Sequence, residues 1–172
     1  MVPRAILIGP PGSGKSTVAK ALGRALECEV VDTDVLVEKQ AGKKISEIFI
    51  EDGEPTFRGM ESTVVLSSIT NCKGVLSLGG GSILDSKVQQ ALIETSSPVI
   101  YLEVSIAQAA PRVGFNKDRP LLMINPRQQW LSLMQVREPI YRRLATFTVT
   151  TDSKKPTAVA EEIAQLIEVD AT

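Results

Sequence analysis

Eight consecutive residues, Gly9-Pro10-Pro11-Gly12-Ser13-Gly14-Lys15-Ser16, fit G-x-x-x-x-G-K-[ST] without adjustment. The glycines let successive backbone N–H groups turn inward on phosphate oxygens, and the helix N-terminus behind them adds partial positive charge. Lys15 can then reach the β- and γ-phosphates as a point charge, while the Ser16 hydroxyl is a magnesium ligand. A plain glycine-rich turn has no need of a strand directly before it and a helix directly after it, and both flanks are expected here. The motif predicts binding of a nucleoside triphosphate with Mg²⁺.

Absences narrow the class. A GTPase would read guanine with Asn-Lys-x-Asp, and Asn116-Lys117-Asp118-Arg119 puts Arg where the last Asp belongs. No Asp is followed by Gly three residues later, so the usual γ-phosphate sensor is missing. A motor-type ATPase carries an acid after its apolar third strand, whereas Val75-Leu76-Ser77-Leu78 runs into Gly79. The metal-side acid must come from elsewhere, and Asp32 and Asp34 are the nearest candidates. Both stand at the carboxyl end of an expected strand, where ligands of open α/β sheets bind. Alternate residues of an extended segment face the same way. One carboxylate can therefore support Mg²⁺ while the other orients a substrate hydroxyl and accepts its proton. The plainer reading is that Asp34 caps the helix that follows.

Positive charge is uneven. Between Ser105 and Ala145 lie Arg112, Lys117, Arg119, Arg127, Arg137, Arg142 and Arg143 against only Asp118 and Glu138, a local +5 that leaves −6 for the remainder. Such a patch suits a small polyanion, because Arg clamps carboxylate or phosphate bidentately and stays charged. Arg127 and one of Arg142 or Arg143 are read as a solvated helix face. Gly79-Gly80-Gly81 after a strand would let a ligand approach the backbone closely, although glycine runs also make ordinary turns.

The composition sets the outer limits. A chain of 172 residues, 43% hydrophobic, 23% charged and 4% aromatic, fits one globular domain with its own core. Nineteen Lys plus Arg against twenty Asp plus Glu give a net charge of −1, so no global basic field for nucleic acid exists. There is no histidine. That excludes a Ser-His-Asp set, a histidine base and His-type zinc sites. Cys28 and Cys72 lack metal-ligand spacing and are read as reduced, partly buried thiols. After Met1-Val2-Pro3-Arg4 only four apolar residues, Ala5 to Ile8, precede Gly9, too few for a secretory signal, and no run approaches a membrane span. A cytoplasmic protein with no membrane or nucleic-acid partner is expected.

The elements that must position these residues alternate along the chain. Strands are predicted at residues 4–8, 29–32, 74–78, 98–102 and 147–150. Helices are predicted at 16–26, 34–40, 45–50, 55–70, 86–94, 126–143 and 156–169. Pro55 is suited to a first helical turn, and Asn125-Pro126 reads as an N-cap with a first-turn proline. Residues 111–125, with Pro111, Gly114, Asn116, Pro120 and Asn125, read as a mobile loop, the kind that in a compact domain is usually functional. Near-continuous apolar strands alternating with helices argue an α/β fold: a five-stranded parallel sheet with helices on both faces.

Taken in order, six signatures carry a resemblance: Gly12-Ser13-Gly14-Lys15-Ser16-Thr17; Asp32-Thr33-Asp34; Ile45 through Arg58 with Glu61; Leu78-Gly79-Gly80-Gly81; Arg119-Pro120-Leu121-Leu122; and Arg137 with Tyr141-Arg142-Arg143. Over nearly its whole length the chain resembles the shikimate kinases, within the nucleoside monophosphate kinase-like P-loop fold. The resemblance implies one kinase domain with a substrate-binding region at about 33–61 and a lid at about 112–124. It implies that Lys15 and Arg119 neutralise the transferring phosphoryl group, that Ser16 and Asp32 hold Mg²⁺, and that Asp34 is the base at the 3-hydroxyl of shikimate. Arg58 and Arg137 would grip the shikimate carboxylate, Glu61 would hold the arginine, and Gly79, Gly80 and Gly81 would meet the ring hydroxyls. The ATP side would comprise Gly12, Ser13, Gly14, Lys15, Ser16, Thr17, Arg112, Arg119, Lys154 and Pro156, with Arg112 stacked on adenine opposite the segment near Pro156. One region departs from the family: Val149-Thr150-Thr151 stands where Val-Asp-Thr is common, and Lys154 where arginine is frequent.

The implied reaction makes shikimate 3-phosphate and ADP, a step toward chorismate, in a chain expected to work as a monomer. Rival readings are another small kinase of the same fold, acting on gluconate or a nucleoside monophosphate, and a catalytically silent nucleotide-binding module. The paired Arg58 and Arg137 favour a carboxylate acceptor over a nucleotide, and the silent module would have lost Lys15, Asp34 or Arg119.

Overall fold

Strands that are apolar at every position suit a sheet covered on both sides. The computed structural model describes residues 2–114 and 125–171. In it β1 (Ala5–Ile8) is the centre of a five-stranded sheet in the order β2-β3-β1-β4-β5. Its partners are β2 (Val30–Asp32), β3 (Val75–Ser77), β4 (Val99–Glu103) and β5 (Phe147–Thr150). Every pairing is parallel, with Ala5 beside Val75, Ile6 beside Val99, Val30 beside Val75 and Ile100 beside Phe147.

Successive strand residues supply two cores. Ile6, Ile8, Leu76, Val99 and Tyr101 face one way, against α4 (Glu54–Asn71), α5 (Ser86–Glu94), α6 (Ile106–Gly114) and α7 (Pro126–Leu144). Ala5, Leu7, Val75, Ile100 and Leu102 face the other, against α1 (Lys15–Ala25) and α8 (Pro156–Asp170). Each fully buried aliphatic side chain among them contributes ~1.5–3 kcal/mol relative to exposure. A smaller cluster of Val37, Ile48, Phe57 and Val64 binds α2 (Thr33–Ala41) and α3 (Ile45–Glu51) to α4. From β1 the chain crosses to the edge strand β2, returns to β3 beside β1, and then passes to β4 and β5 on the other side of β1. That reversal beside β1 opens the crevice at the carboxyl ends of the strands in which such sheets hold ligands. Among the described residues, no helix is long and apolar enough to cross a membrane.

Three expectations need correction. Residues 111–114 are not loop: they close α6, with Pro111 inside the helix. Ile106, Ala109 and Val113 recur on one face, and Ala109 and Val113 are buried in the core, so packing outweighs the bond that proline deletes. The rest of the expected loop, 115–124 with Arg119, lies outside the described residues. Asn125 occupies the cap position of α7, but in a left-handed backbone (φ 50°, ψ 65°) that makes no side-chain cap bond. Asp34 is not extended. It lies in the first turn of α2, and the carboxylate that caps this helix is Asp32.

Candidate active site

Between β1 and α1 the phosphate loop is held mainly through its carbonyl groups. The Lys15 ammonium, 8% exposed, donates to the carbonyls of Gly9 (2.7 Å) and Pro10 (3.0 Å). The Trp130 indole Nε1 donates to the carbonyl of Pro11 (2.9 Å), and Arg112 Nη1 to that of Gly12 (2.9 Å). Four successive carbonyls are thus engaged by side chains, a brace for a segment that has no ladder of its own. Gly14 caps α1 at φ 83°, ψ 21°, a left-handed backbone that costs an L side chain ~1–2 kcal/mol. The first turn of α1 carries no acidic residue, so its positive end stays available to an anion.

The acid pair divides its work. Asp32 Oδ2 accepts the Ser16 hydroxyl (2.6 Å) while its Oδ1 accepts the N–H of Asp34 (3.0 Å). Because Asp32 does the capping, the Asp34 carboxylate is not needed for it. Lys15, Ser16, Thr17, Asp32, Asp34 and Arg112, with Gly12 and Gly14, line one cavity of about 240 Å³. The two hard oxygens of Ser16 and Asp32, beside the loop that takes phosphates, fit Mg²⁺. That ion takes one or two protein oxygens and completes its shell with water and phosphate.

Next to this cavity, the glycine turn is where the chain's remaining candidates meet. The Gly79 N–H donates to the buried Thr33 hydroxyl (3.0 Å), and the Tyr141 hydroxyl donates to the Gly80 carbonyl (2.5 Å). A Cβ on Gly79 would stand 2.6 Å from Asp34 Oδ1 and 2.7 Å from Glu61 Oε2. On Gly81 it would meet Arg58 Nη1 at 2.5 Å, and on Gly80 it would lie 3.6 Å from Arg137 Nη1. Asp34, Arg58, Glu61 and Arg137 therefore surround three residues that have no side chains to keep them out. Glu61, 3% exposed, accepts from Arg58 Nη1 at 2.7 Å, and Glu54 adds a 3.5 Å contact to Arg58 Nε. A buried carboxylate needs such a partner, and in return it fixes the guanidinium.

Other candidates stand outside this arrangement. Lys154 pairs with Glu162 of α8 (2.7 Å), and Pro156 opens that helix; neither lines the cavity. At the departing 149–151 segment, the Thr151 N–H donates to the Glu103 carbonyl (2.9 Å) and Asp152 accepts the Ser105 N–H (3.0 Å), so strand-end bonding accounts for both residues. Arg142 pairs with Glu103 and Glu138, and Arg143 with Gln89, and both side chains stay exposed on the outer face of α7. Thr33, Tyr141 and Trp130 also touch the site; the first two stand within the family signatures without an assigned role, and Trp130 stands outside them. Thr33 was signalled by its place between two acids, and Tyr141 by its spacing of four from Arg137; nothing local marks Trp130.

A protein-family model described as shikimate kinase matches residues 11–168. The chain belongs to the shikimate kinase family. It is 45% identical to the shikimate kinase of Rhodococcus jostii over 164 residues, 95% of this chain and 96% of that one. The Thermobifida fusca shikimate kinase is 47% identical over 163 residues, 95% and 94% of the two chains. Among solved structures, the shikimate kinase of Acinetobacter baumannii in complex with shikimate superposes at a TM-score of 0.93 with 33% identity, covering 99% of this chain and 94% of that one. A deoxyadenosine kinase from M. mycoides shares the fold alone, at a TM-score of 0.63 and 19% identity over 96% and 98% of the chains. Membership in this family fits the five-stranded parallel sheet and the phosphate loop at the end of β1.

Proposed function

We propose that the chain transfers the γ-phosphoryl group of ATP to the 3-hydroxyl of shikimate, giving shikimate 3-phosphate and ADP on the route to chorismate. The observation that carries this reading is the convergence of Asp34, Glu61, Arg58 and Arg137 on the Gly79–Gly81 turn beside the Lys15 loop. One carboxylate for a hydroxyl proton, two guanidiniums for a carboxylate and a turn without side chains form an acceptor site for a small polyhydroxy acid.

Arg58, fixed by Glu61, and Arg137 hold the acceptor carboxylate and so aim the reacting hydroxyl. Asp34 orients that hydroxyl and takes its proton as oxygen bonds to the γ-phosphorus. The bond to the β–γ bridging oxygen breaks, and ADP leaves. Lys15 neutralises charge on the transferring group, and Arg119 joins it from a lid at about 112–124 that closes over ATP. Ser16 and Asp32 would hold Mg²⁺, which when bound draws charge from the phosphates. Gly12, Ser13, Gly14 and Thr17 bind the phosphates, and Arg112, Lys154 and Pro156 lie on the adenine side. The chain works as one domain and as a monomer, with residues 33–61 as its acceptor region and no nucleic-acid or membrane partner.

A coupled ADP-release assay across shikimate, gluconate and nucleoside monophosphates tests the reading. Turnover confined to shikimate is expected. Faster turnover of gluconate or a nucleotide would replace the acceptor, and no turnover of any would leave a nucleotide-binding module.

A further inference from the structure

The two halves of the site are separate in sequence, yet one helix touches both. On α7, Trp130, Arg137 and Tyr141 are spaced by seven and four, which places them on a single face. Trp130, 4% exposed, donates its indole N–H to the Pro11 carbonyl of the phosphate loop. Tyr141, fully buried, donates its hydroxyl to the Gly80 carbonyl of the glycine turn. Between them Arg137 reaches the same turn. The Tyr141 ring is stacked on Tyr101 of β4 with centroids 5.1 Å apart, so its phenol has little freedom to follow a moving turn. Both acceptor carbonyls lie in non-repeating backbone, where no ladder would otherwise fix their position.

We propose that Trp130 and Tyr141 are positioning residues that fasten the nucleotide half and the acceptor half of the site to one helix, α7, on either side of its internal Pro139. Eleven residues of helix separate them by about 16 Å. The indole sets the phosphate loop at one end, and the phenol sets the glycine turn, with Asp34 and Arg58 around it, at the other. The inference rests on the two-substrate reading above and adds two residues that reading does not use. If the aromatic rings served only to fill the core, phenylalanine would replace either with no change in catalysis. If their polar atoms position the loops, each loss has its own address.

The test is a crossed pair of variants, Trp130→Phe and Tyr141→Phe, assayed for turnover with shikimate and titrated with Mg·ADP. Loss of one buried hydrogen bond corresponds to a change of about three- to tenfold. Trp130→Phe is expected to weaken ADP by that factor and leave the shikimate KM within about twofold. Tyr141→Phe is expected to raise the shikimate KM, or lower kcat, by that factor with ADP affinity unchanged. Two wild-type-like variants, or two variants that shift both ligands equally, would overturn the proposal. Should Tyr141→Phe fail to fold, Thr33→Val removes another side-chain bond to the same turn and must give the same acceptor-side pattern, or the proposal falls. A wild-type chain that does not use shikimate would sink the acceptor reading alone, because the ADP titrations still decide whether only Trp130→Phe loses nucleotide.

Discussion

Gly79→Ala adds one carbon at the point where the reacting carboxylate meets the glycine turn. The new Cβ would lie 2.6 Å from Asp34 Oδ1, roughly 0.8 Å inside the 3.4 Å at which ordinary contact begins, and 2.7 Å from Glu61 Oε2. Neither oxygen gives way freely. Asp34 is on the first turn of a capped helix, and Glu61 is tied to Arg58. The turn also cannot retreat without giving up the Thr33 bond to the Gly79 N–H or the Tyr141 bond to the Gly80 carbonyl. A displacement approaching 1 Å between a base and the proton it accepts costs on the order of 10²-fold in rate. Gly79→Ala is therefore expected to lower kcat about 10²-fold in the coupled ADP-release assay while Mg·ADP affinity, read by titration, stays near wild type. Gly59→Ala is the matched control. Its Cβ would meet nothing within 4 Å inside α4, so it should stabilise the fold by ~0.5–1 kcal/mol and leave turnover unchanged. Gly79→Ala with more than a third of wild-type kcat would refute the reasoning, since it would show that the carboxylates can yield without loss.

Asp34→Asn removes the proton acceptor with little change of shape, so kcat should fall ~10²–10⁴-fold while ADP still binds; half-maximal activity would demote Asp34 to a surface residue. Arg58→Ala and Arg137→Ala should each weaken shikimate far more than ATP, by roughly 1.5–3 kcal/mol for a lost charge-assisted bond. An equal loss in ATP affinity would place these arginines around phosphates instead. Arg119→Ala should lower kcat much more than it raises the shikimate KM, as expected for a contact made mainly in the transition state; the reverse split would contradict a lid role. Burial pushes the Cys72 thiol pKa up and leaves it 5% exposed, whereas Cys28 is half-buried. In the folded protein, iodoacetamide followed by peptide mass analysis should label Cys28 first. Cys72 should react only on unfolding, and early labelling there would mean that the C-terminal end of α4 opens.

Local chemistry was enough for the parts that a short stretch of chain decides. The phosphate loop is legible because its function lies in consecutive backbone groups plus one lysine and one hydroxyl, all within Gly9–Ser16. The strands around Ile6, Leu76 and Ile100 are legible because a sheet covered on both faces needs unbroken apolar runs, and the short Val30-Val31 run sets Asp32 at a strand end. Family resemblance adds the acceptor, since no spacing in one chain distinguishes shikimate from another hydroxy acid.

Contacts between distant residues belong to the tertiary structure. Which acid caps α2 could not be read from Asp32-Thr33-Asp34, because either carboxylate can cap; folding gives the task to Asp32 by setting it beside Ser16, and so spares Asp34. The end of α6 looks like loop when Pro111 and Gly114 are weighed locally, and becomes helix because Ala109 and Val113 bury against the core. The glycine triplet is ambiguous as sequence. It acquires meaning when Asp34, Glu61, Arg58 and Arg137, from three helices, close around it. Pro11 and Trp130 are 119 positions apart, as Gly80 and Tyr141 are 61, and no local propensity encodes a hydrogen bond across such separations. The sequence determines which groups can do chemistry; packing of α4 and α7 on one side of the sheet, with α2 held to α4, decides which of them meet, because only burial of their apolar faces fixes the helices at that distance.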